Sequence, residues 1–255
     1  MIDTHTHLDN PQLAEDIDAV MVRALEAGVT HMFIPNVDDE SWPRMQSLQA
    51  RYPEQIRLML GLHPCDVGED WEAVLDRYEA LWAEHAADYI AVGEIGLDLY
   101  WDKTTLDRQL AALHRQLDWC VTYDKPFSMH VREAWGPTME VLRQRACPEL
   151  KGVLHCFTGS TEIAQELIAM GHSLGIGGVA TFKTAKVVEV LREVGLDQVV
   201  LETDSPYLAP VPHRGKRNES SYTRLVAQHL ADSLGLTTAE VDHITTANAR
   251  RIFRM

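Results

Sequence analysis

Cysteine is scarce. The 255-residue chain has four, Cys65, Cys120, Cys147 and Cys156, and no two stand in a Cys-x-x-Cys spacing. That argues against a disulfide framework or a zinc knuckle and for reduced thiols. No apolar run approaches the roughly 20 residues that a membrane-spanning helix needs. A secretory leader does not fit, because the polar stretch Asp3–His7 stands where its apolar region would be. The expectation is a cytoplasmic protein with no membrane partner. Basic residues are outnumbered, with 23 Lys and Arg against 38 Asp and Glu, for a net charge of −15. Non-specific coating of nucleic acid depends on a positive surface and is disfavoured. An acidic enzyme with a locally positive site is not, since bound divalent cations reverse the field where they sit. Low-complexity linkers and breaks in composition are also missing, so residues 1–255 read as one domain. No dimerisation segment is evident, and a monomer is expected.

What is present is alternation. Short apolar runs predict strands at Met1–His7, Thr30–Pro35, Ile56–Leu62, Tyr89–Ile95, Pro126–Val131, Gly152–Cys156, His172–Ile176 and Gln198–Thr203. Amphipathic stretches predict helices over Leu13–Ala27, Glu40–Arg51, Trp71–Ala86, Thr105–Tyr123, Pro137–Arg145, Glu162–Met170, Ala185–Val194, Ser221–Leu234 and Ala239–Phe253. Eight βα units imply parallel strands, and at this length they fit a (β/α)8 TIM-type barrel. A doubly wound sheet is the alternative. No Gly-x-Gly-x-x-Gly follows the first strand, which weakens it.

In such a barrel the chemistry sits at the C-terminal ends of the strands. His5 and His7 end the first predicted strand, two residues apart and therefore on one face. A lone His-x-His is as often structural as metal-binding. Here, however, His63, Glu94, His130, His155 and Asp204 also fall at strand ends. A rim of unpartnered His, Asp and Glu would cost several kcal/mol in desolvation. Divalent metals supply the missing partners. The set exceeds what one tetrahedral zinc takes, and Glu94 between two histidine groups suggests a bridge in a two-metal site. His31 and His172 precede their strands, His85, His114, His229 and His243 fall in helices, and His213 lies in a loop. These read as packing or surface residues.

The ordered segments D-T-H-T-H, G-L-H-P, G-E-I-G-L-D, H-V-R, H-C-F and E-T-D-S-P-Y-L span the chain from residue 2 to about 253. Together they resemble the TatD family of metal-dependent deoxyribonucleases, within the amidohydrolase superfamily. The resemblance implies a TIM-type barrel with two or three divalent ions, magnesium, manganese or zinc. By motif position it sets His5, His7, Glu94 and Asp204 around one metal and Glu94, His130 and His155 around the second. His63 would lie near the scissile phosphate or an additional cation. It also implies cleavage of DNA, often from 3′ to 5′. Within that scheme Asp204 orients the attacking water or accepts its proton, Glu94 bridges, and His63 stabilises charge at phosphorus.

After the last strand, Arg214, Lys216 and Arg217 form a basic loop suited to a phosphate. The family usually carries R-G-x-R-N-E-P here, and this chain lacks the proline. The family's H-x-R-D is His130-Val131-Arg132-Glu133. Tyr100, Trp101, Trp135, Phe157 and Tyr207 are rim aromatics on which bases could stack. Two rivals stand beside the nuclease. One is an amidohydrolase or other phosphoesterase acting on a small molecule, although related amide-cleaving centres typically use a carboxylated lysine where Glu94 stands. The other is a nucleic-acid-associated protein with a structural metal, which the surplus of ligands disfavours.

Overall fold

Eight short parallel strands stand in chain order, each hydrogen-bonded to the next, in the computed structural model, which describes all 255 residues. They are β1 (Ile2–Asp3), β2 (His31–Pro35), β3 (Ile56–Met59), β4 (Tyr89–Asp98), β5 (Phe127–Arg132), β6 (Gly152–Leu154), β7 (Ser173–Ile176) and β8 (Val199–Leu201). The last strand comes back to the first, where the Thr4 amide donates to Leu201 O at 3.0 Å. Asp3 strengthens that seam. Its buried carboxylate accepts from the Thr203 amide at 2.9 Å and the Thr203 hydroxyl at 2.7 Å. The fold is the expected (β/α)8 barrel, nearly closed.

The helices are α1 (Pro11–Ala14), α2 (Ile17–Glu26), α3 (Ser41–Arg51), α4 (Trp71–His85), α5 (Leu106–Thr122), α6 (Trp135–Gln144), α7 (Thr161–Ala169), α8 (Val187–Val194), α9 (Thr223–Leu234) and α10 (Thr238–Phe253). Local signals start several of them. Thr237 and Glu240 close a reciprocal capping box on α10, and the Ser160 hydroxyl caps α7. No helix is long and apolar enough to cross a membrane.

Several boundaries differ from expectation: β3, β6 and β8 end at Met59, Leu154 and Leu201, so His63, His155 and Asp204 lie just beyond them, and three further differences bear on the site. The helix expected over Leu13–Ala27 is two helices, parted at Glu15 and Asp16. Asp16 leaves helical geometry at φ −128°, and its carboxylate binds Arg217 across the rim. The first strand is only Ile2–Asp3, so His5 and His7 belong to the segment that follows it. Conversely, β4 runs past Ile95 to Asp98 because its pairing with β5 continues to Asp98 opposite Arg132. Glu94 therefore lies within a strand, at the register shift between Val92 and Ile95.

The main core lies between the strands and the helices. A second, smaller cluster fills the barrel below the site. There Ile2, Phe33, Met59, Ala91, Val153 and Val200 point inward from six strands. Ala249 and Phe253 of α10 plug the base, with the Phe253 and Phe33 rings edge-on at 4.9 Å. Burying one such ring stabilises the fold by about 3 kcal/mol relative to alanine. This dry floor leaves the opposite end of the barrel for polar groups.

Candidate metal centre

Glu94 is the hub of that opposite end. It is buried, and its two oxygens face different histidines. Oε2 lies 3.2 Å from His5 Nε2 and 3.6 Å from His7 Nε2. Oε1 lies 2.8 Å from His155 Nε2, 3.1 Å from His130 Nδ1 and 3.4 Å from His63 Nε2. Asp204 closes the ring, with Oδ1 at 3.3 Å from His7 Nε2 and 3.9 Å from His5 Nε2. The seven residues expected at the rim thus converge, although their chain positions span nearly the whole sequence.

Two of the rings are turned by a neighbour. His5 Nδ1 meets the Ser128 hydroxyl at 2.9 Å, which aims Nε2 at Glu94. His130 Nε2 meets Asp98 Oδ2 at 2.9 Å, which aims Nδ1 the same way. Carboxylate–histidine pairs of this kind fix the tautomer of metal-ligating imidazoles. The His5 and His155 rings stack at 3.8 Å with only 5° between their planes.

Burial and the neighbouring His155 push His5 down to about 4, which favours its neutral form. Burial opposes charge on His7 as well, but Asp204 and Glu94 raise it above the usual imidazole value. Burial would neutralise Glu94, yet His155, His5 and His63 hold it well below the ordinary carboxylate range. The Asp98 carboxyl is likewise opposed by burial and held at about 2 by His130 and the Tyr100 amide.

These groups fit a metal. His5 Nε2 and Glu94 Oε2 are buried with no hydrogen-bond partner, though they face each other. Buried polar atoms left in this state are rare without an ion or water to serve them. Ligand atoms lie within 4.8 Å of one another in three groups: His5, His7 and Glu94; His5, His155 and Asp204; and His63, Glu94 and His130. Glu94 and His5 are each shared between two groups. His63 sits with Glu94 and His130 rather than apart from the ligand set.

A cavity of about 800 Å³ opens onto this cluster; the acidic Asp9, Asp38 and Asp66 and the basic Arg44 and Arg132 are among its lining residues, with Arg44 Nε 3.6 Å from Asp9 Oδ2. The basic loop expected to bind substrate lies elsewhere. Arg217 gives both ends of its guanidinium to Asp16 at 2.7 Å and bonds Gln12 O at 2.8 Å. Arg214 stands 4.5 Å over the Phe182 ring, and Lys216 is exposed. None of the three lines the cavity. Asn218 and Glu219 fasten the same loop. Asn218 donates to Thr203 O and Tyr207 O, and Glu219 accepts a forked pair from Arg23.

The chain resembles known proteins over its whole length. The family described as "TatD related DNase" matches residues 2–254. The chain belongs to that family. It is 36% identical to the Bacillus subtilis "Uncharacterized metal-dependent hydrolase YabD", over 100% of this chain and 99% of the relative. It is 32% identical to the Mycobacterium tuberculosis "Uncharacterized metal-dependent hydrolase TatD", over 99% and 97% respectively. The crystal structure of YJJV, a TatD homologue from Escherichia coli K12, superposes with a TM-score of 0.93 at 29% identity, covering 100% of this chain and 98% of that one. The protein is a metal-dependent hydrolase of the TatD family.

Two residues of this TatD centre were not singled out by motif spacing. Asp98 ends the quoted G-E-I-G-L-D segment, and its signal is the i, i+4 placement that puts it on the same strand face as Glu94. Glu202 opens E-T-D-S-P. It is buried behind His155, accepts from the Cys156 amide, and lies 3.8 Å from His155 Nδ1. Burial pushes its carboxyl well above the usual range. Gly175 makes room for it, since a Cβ there would stand 2.2 Å from Glu202 Oε2.

Proposed function

We propose that the protein is a phosphodiesterase acting on DNA through a two-metal centre. One observation carries the reading: the buried Glu94 carboxylate turns one oxygen to His5 and His7 and the other to His63, His130 and His155. A carboxylate with separate ligand sets on its two oxygens is suited to bridge two ions. Such ions, when bound, lower the pKa of a water and polarise a phosphoryl oxygen. Magnesium, manganese and zinc all suit the mixed imidazole and carboxylate donors.

In this scheme His5, His7, Glu94 and Asp204 would hold one ion. Glu94, His130 and His155 would hold the other. Asp204, at the mouth of the pair, orients the attacking water or accepts its proton. His63, 3.4 Å from Glu94 and open to the cavity, supports charge developing at phosphorus. Of the basic loop, Arg214 and Lys216 serve phosphates farther along the strand, and Arg217 fixes the loop through Asp16. The family description supports DNA as the substrate, and Arg44 and Arg132 supply positive charge beside an otherwise acidic mouth. A cleft without lysine speaks against a carboxylated-lysine amidohydrolase centre.

The test is turnover of a 3′-ended oligonucleotide with magnesium or manganese, set against an amide and a phosphomonoester panel. Glu94→Ala should abolish oligonucleotide cleavage, a loss of at least about 10³-fold, in line with an electrostatic group at the reacting centre. Full nuclease activity in that variant, with metal controlled, would overturn the scheme. So would an amide turned over faster than DNA.

A further inference from the structure

The five rim aromatics separate into two kinds. Phe157 is buried and Trp135 packs against it at 5.3 Å, so both belong to the core. Trp101 is 72% exposed and Tyr207 47% exposed, both lining the cavity, and Tyr100, next to Trp101 in the chain, is 48% exposed. The Tyr100 and Trp101 rings meet edge-on at 4.8 Å. From β5, Arg132 lays its guanidinium 3.7 Å over the Tyr100 ring and 5.5 Å from the Trp101 ring. An aromatic face steadies a guanidinium without using its N–H edge, which stays available for an anion.

This group is tied to the metal centre. The Asp98 carboxylate spans the two, with Oδ2 at 2.9 Å from His130 Nε2 and Oδ1 accepting the Tyr100 amide at 2.9 Å. The Leu99 amide donates to Arg132 O at 2.9 Å. Gln109 clamps the Asp98 peptide from both sides, at 2.9 Å each. Trp101 and Arg132 line the same cavity as Glu94 and His130. The platform therefore has a fixed place relative to the reacting centre.

We propose that Trp101, Tyr100 and Arg132 form a nucleotide subsite that takes an unpaired base on the exposed Trp101 face and the adjoining phosphate on Arg132. The proposal rests on the phosphodiesterase reading for its substrate class. Every base has a π face, so stacking on indole is tolerant of sequence. A base inside a duplex has both faces covered by its neighbours. The subsite thus favours single strands or frayed ends. Arg132 offers the phosphate a two-pronged donor.

The test compares two phosphorothioate-linked oligothymidylates, which resist cleavage, binding to the manganese-loaded protein by fluorescence anisotropy. One carries all its bases, and the other has abasic residues in its terminal nucleotides. The wild type should bind the base-bearing strand about tenfold more tightly, a typical effect of one stacked base. Trp101→Ala should abolish that preference, and Trp101→Phe should keep most of it. Equal wild-type affinity for the two strands overturns the subsite, as does a preference that persists in Trp101→Ala. Should Trp101→Ala fail to fold, Trp101→Leu, which has no ring, should lose the preference that Trp101→Phe keeps, and an equal preference in those two variants overturns the subsite. Cleavage of an unmodified strand is followed in parallel. Cleavage without a base preference defeats the subsite alone. A base preference without cleavage defeats the phosphodiesterase reading and leaves the subsite standing.

Discussion

Asp98 is the residue whose removal separates metal binding from folding most cleanly. Its carboxylate holds the His130 ring in the orientation that presents Nδ1 to Glu94, and it touches no other candidate ligand. Replacing it should leave the barrel intact, since Gln109 grips the Asp98 backbone rather than its side chain. Partners of this kind contribute about 10- to 100-fold to metal affinity. Asp98→Ala should therefore weaken manganese binding by at least about tenfold in calorimetric titration. Asp98→Asn keeps an acceptor for the imidazole N–H while losing the charge, so its loss should be smaller. An unchanged affinity in both variants would remove Asp98 from the centre.

At the level of elements, the alternation of apolar runs and amphipathic stretches made the barrel legible, because each βα unit must bury a strand on both faces and a helix on one. The ligand positions were legible for a related reason. A barrel brings all its strand ends to one rim, so residues far apart in sequence, such as His5 and Asp204, share a site. What escaped is what depends on tertiary pairing. The break between α1 and α2 answers to the Asp16–Arg217 pair, which joins segments some 200 residues apart. The extension of β4 to Asp98 answers to β5, not to its own composition. The charge of the 214–217 loop was plain, but its commitment of Arg217 to the protein itself was not.

One element carries a pH-dependent stability of its own. His172 precedes β7 at the end of the barrel away from the metal centre. Its ring is buried against Phe127 at 5.2 Å, and Nδ1 has no hydrogen-bond partner. Burial, with Lys151 adding to it, lowers its pKa from 6.5 to about 4. Between those values the unfolded chain binds the proton and the folded one does not, so stability falls as pH falls through that window. At pH 5 the linkage amounts to about 2 kcal/mol. Urea unfolding at pH 7.5 and pH 5 should show the wild type losing about 2 kcal/mol more than His172→Leu. An equal loss in the two proteins would mean that His172 is protonated in the fold.

The molecule as a whole repels what its site is proposed to hold. A net charge of −15 opposes a polyanion everywhere except where cations gather. Binding of a single strand should then depend on few phosphate contacts, each contributing about −0.7 to the slope of log affinity against log salt. Arg44 and Arg132 are the Lys and Arg side chains that line the cavity, Arg44 beside Asp9 at 3.6 Å. Their two contacts give a slope of roughly −1.4 at fixed manganese, and Arg214 and Lys216 would take it to about −2.8 on a strand long enough to reach them, before any contribution from the bound ions. Arg132→Gln and Arg44→Gln should each reduce the magnitude of the measured slope by about 0.7 while weakening binding at low salt. Anisotropy titrations from 50 to 200 mM KCl, on the order of the range where this dependence is steep, would read it directly. A slope unmoved in both variants would mean that the strand's phosphates are held outside the cavity, with the 214–217 loop next in line. A slope far steeper than −3 would mean an extended basic track, which the distribution of charge in this chain does not provide.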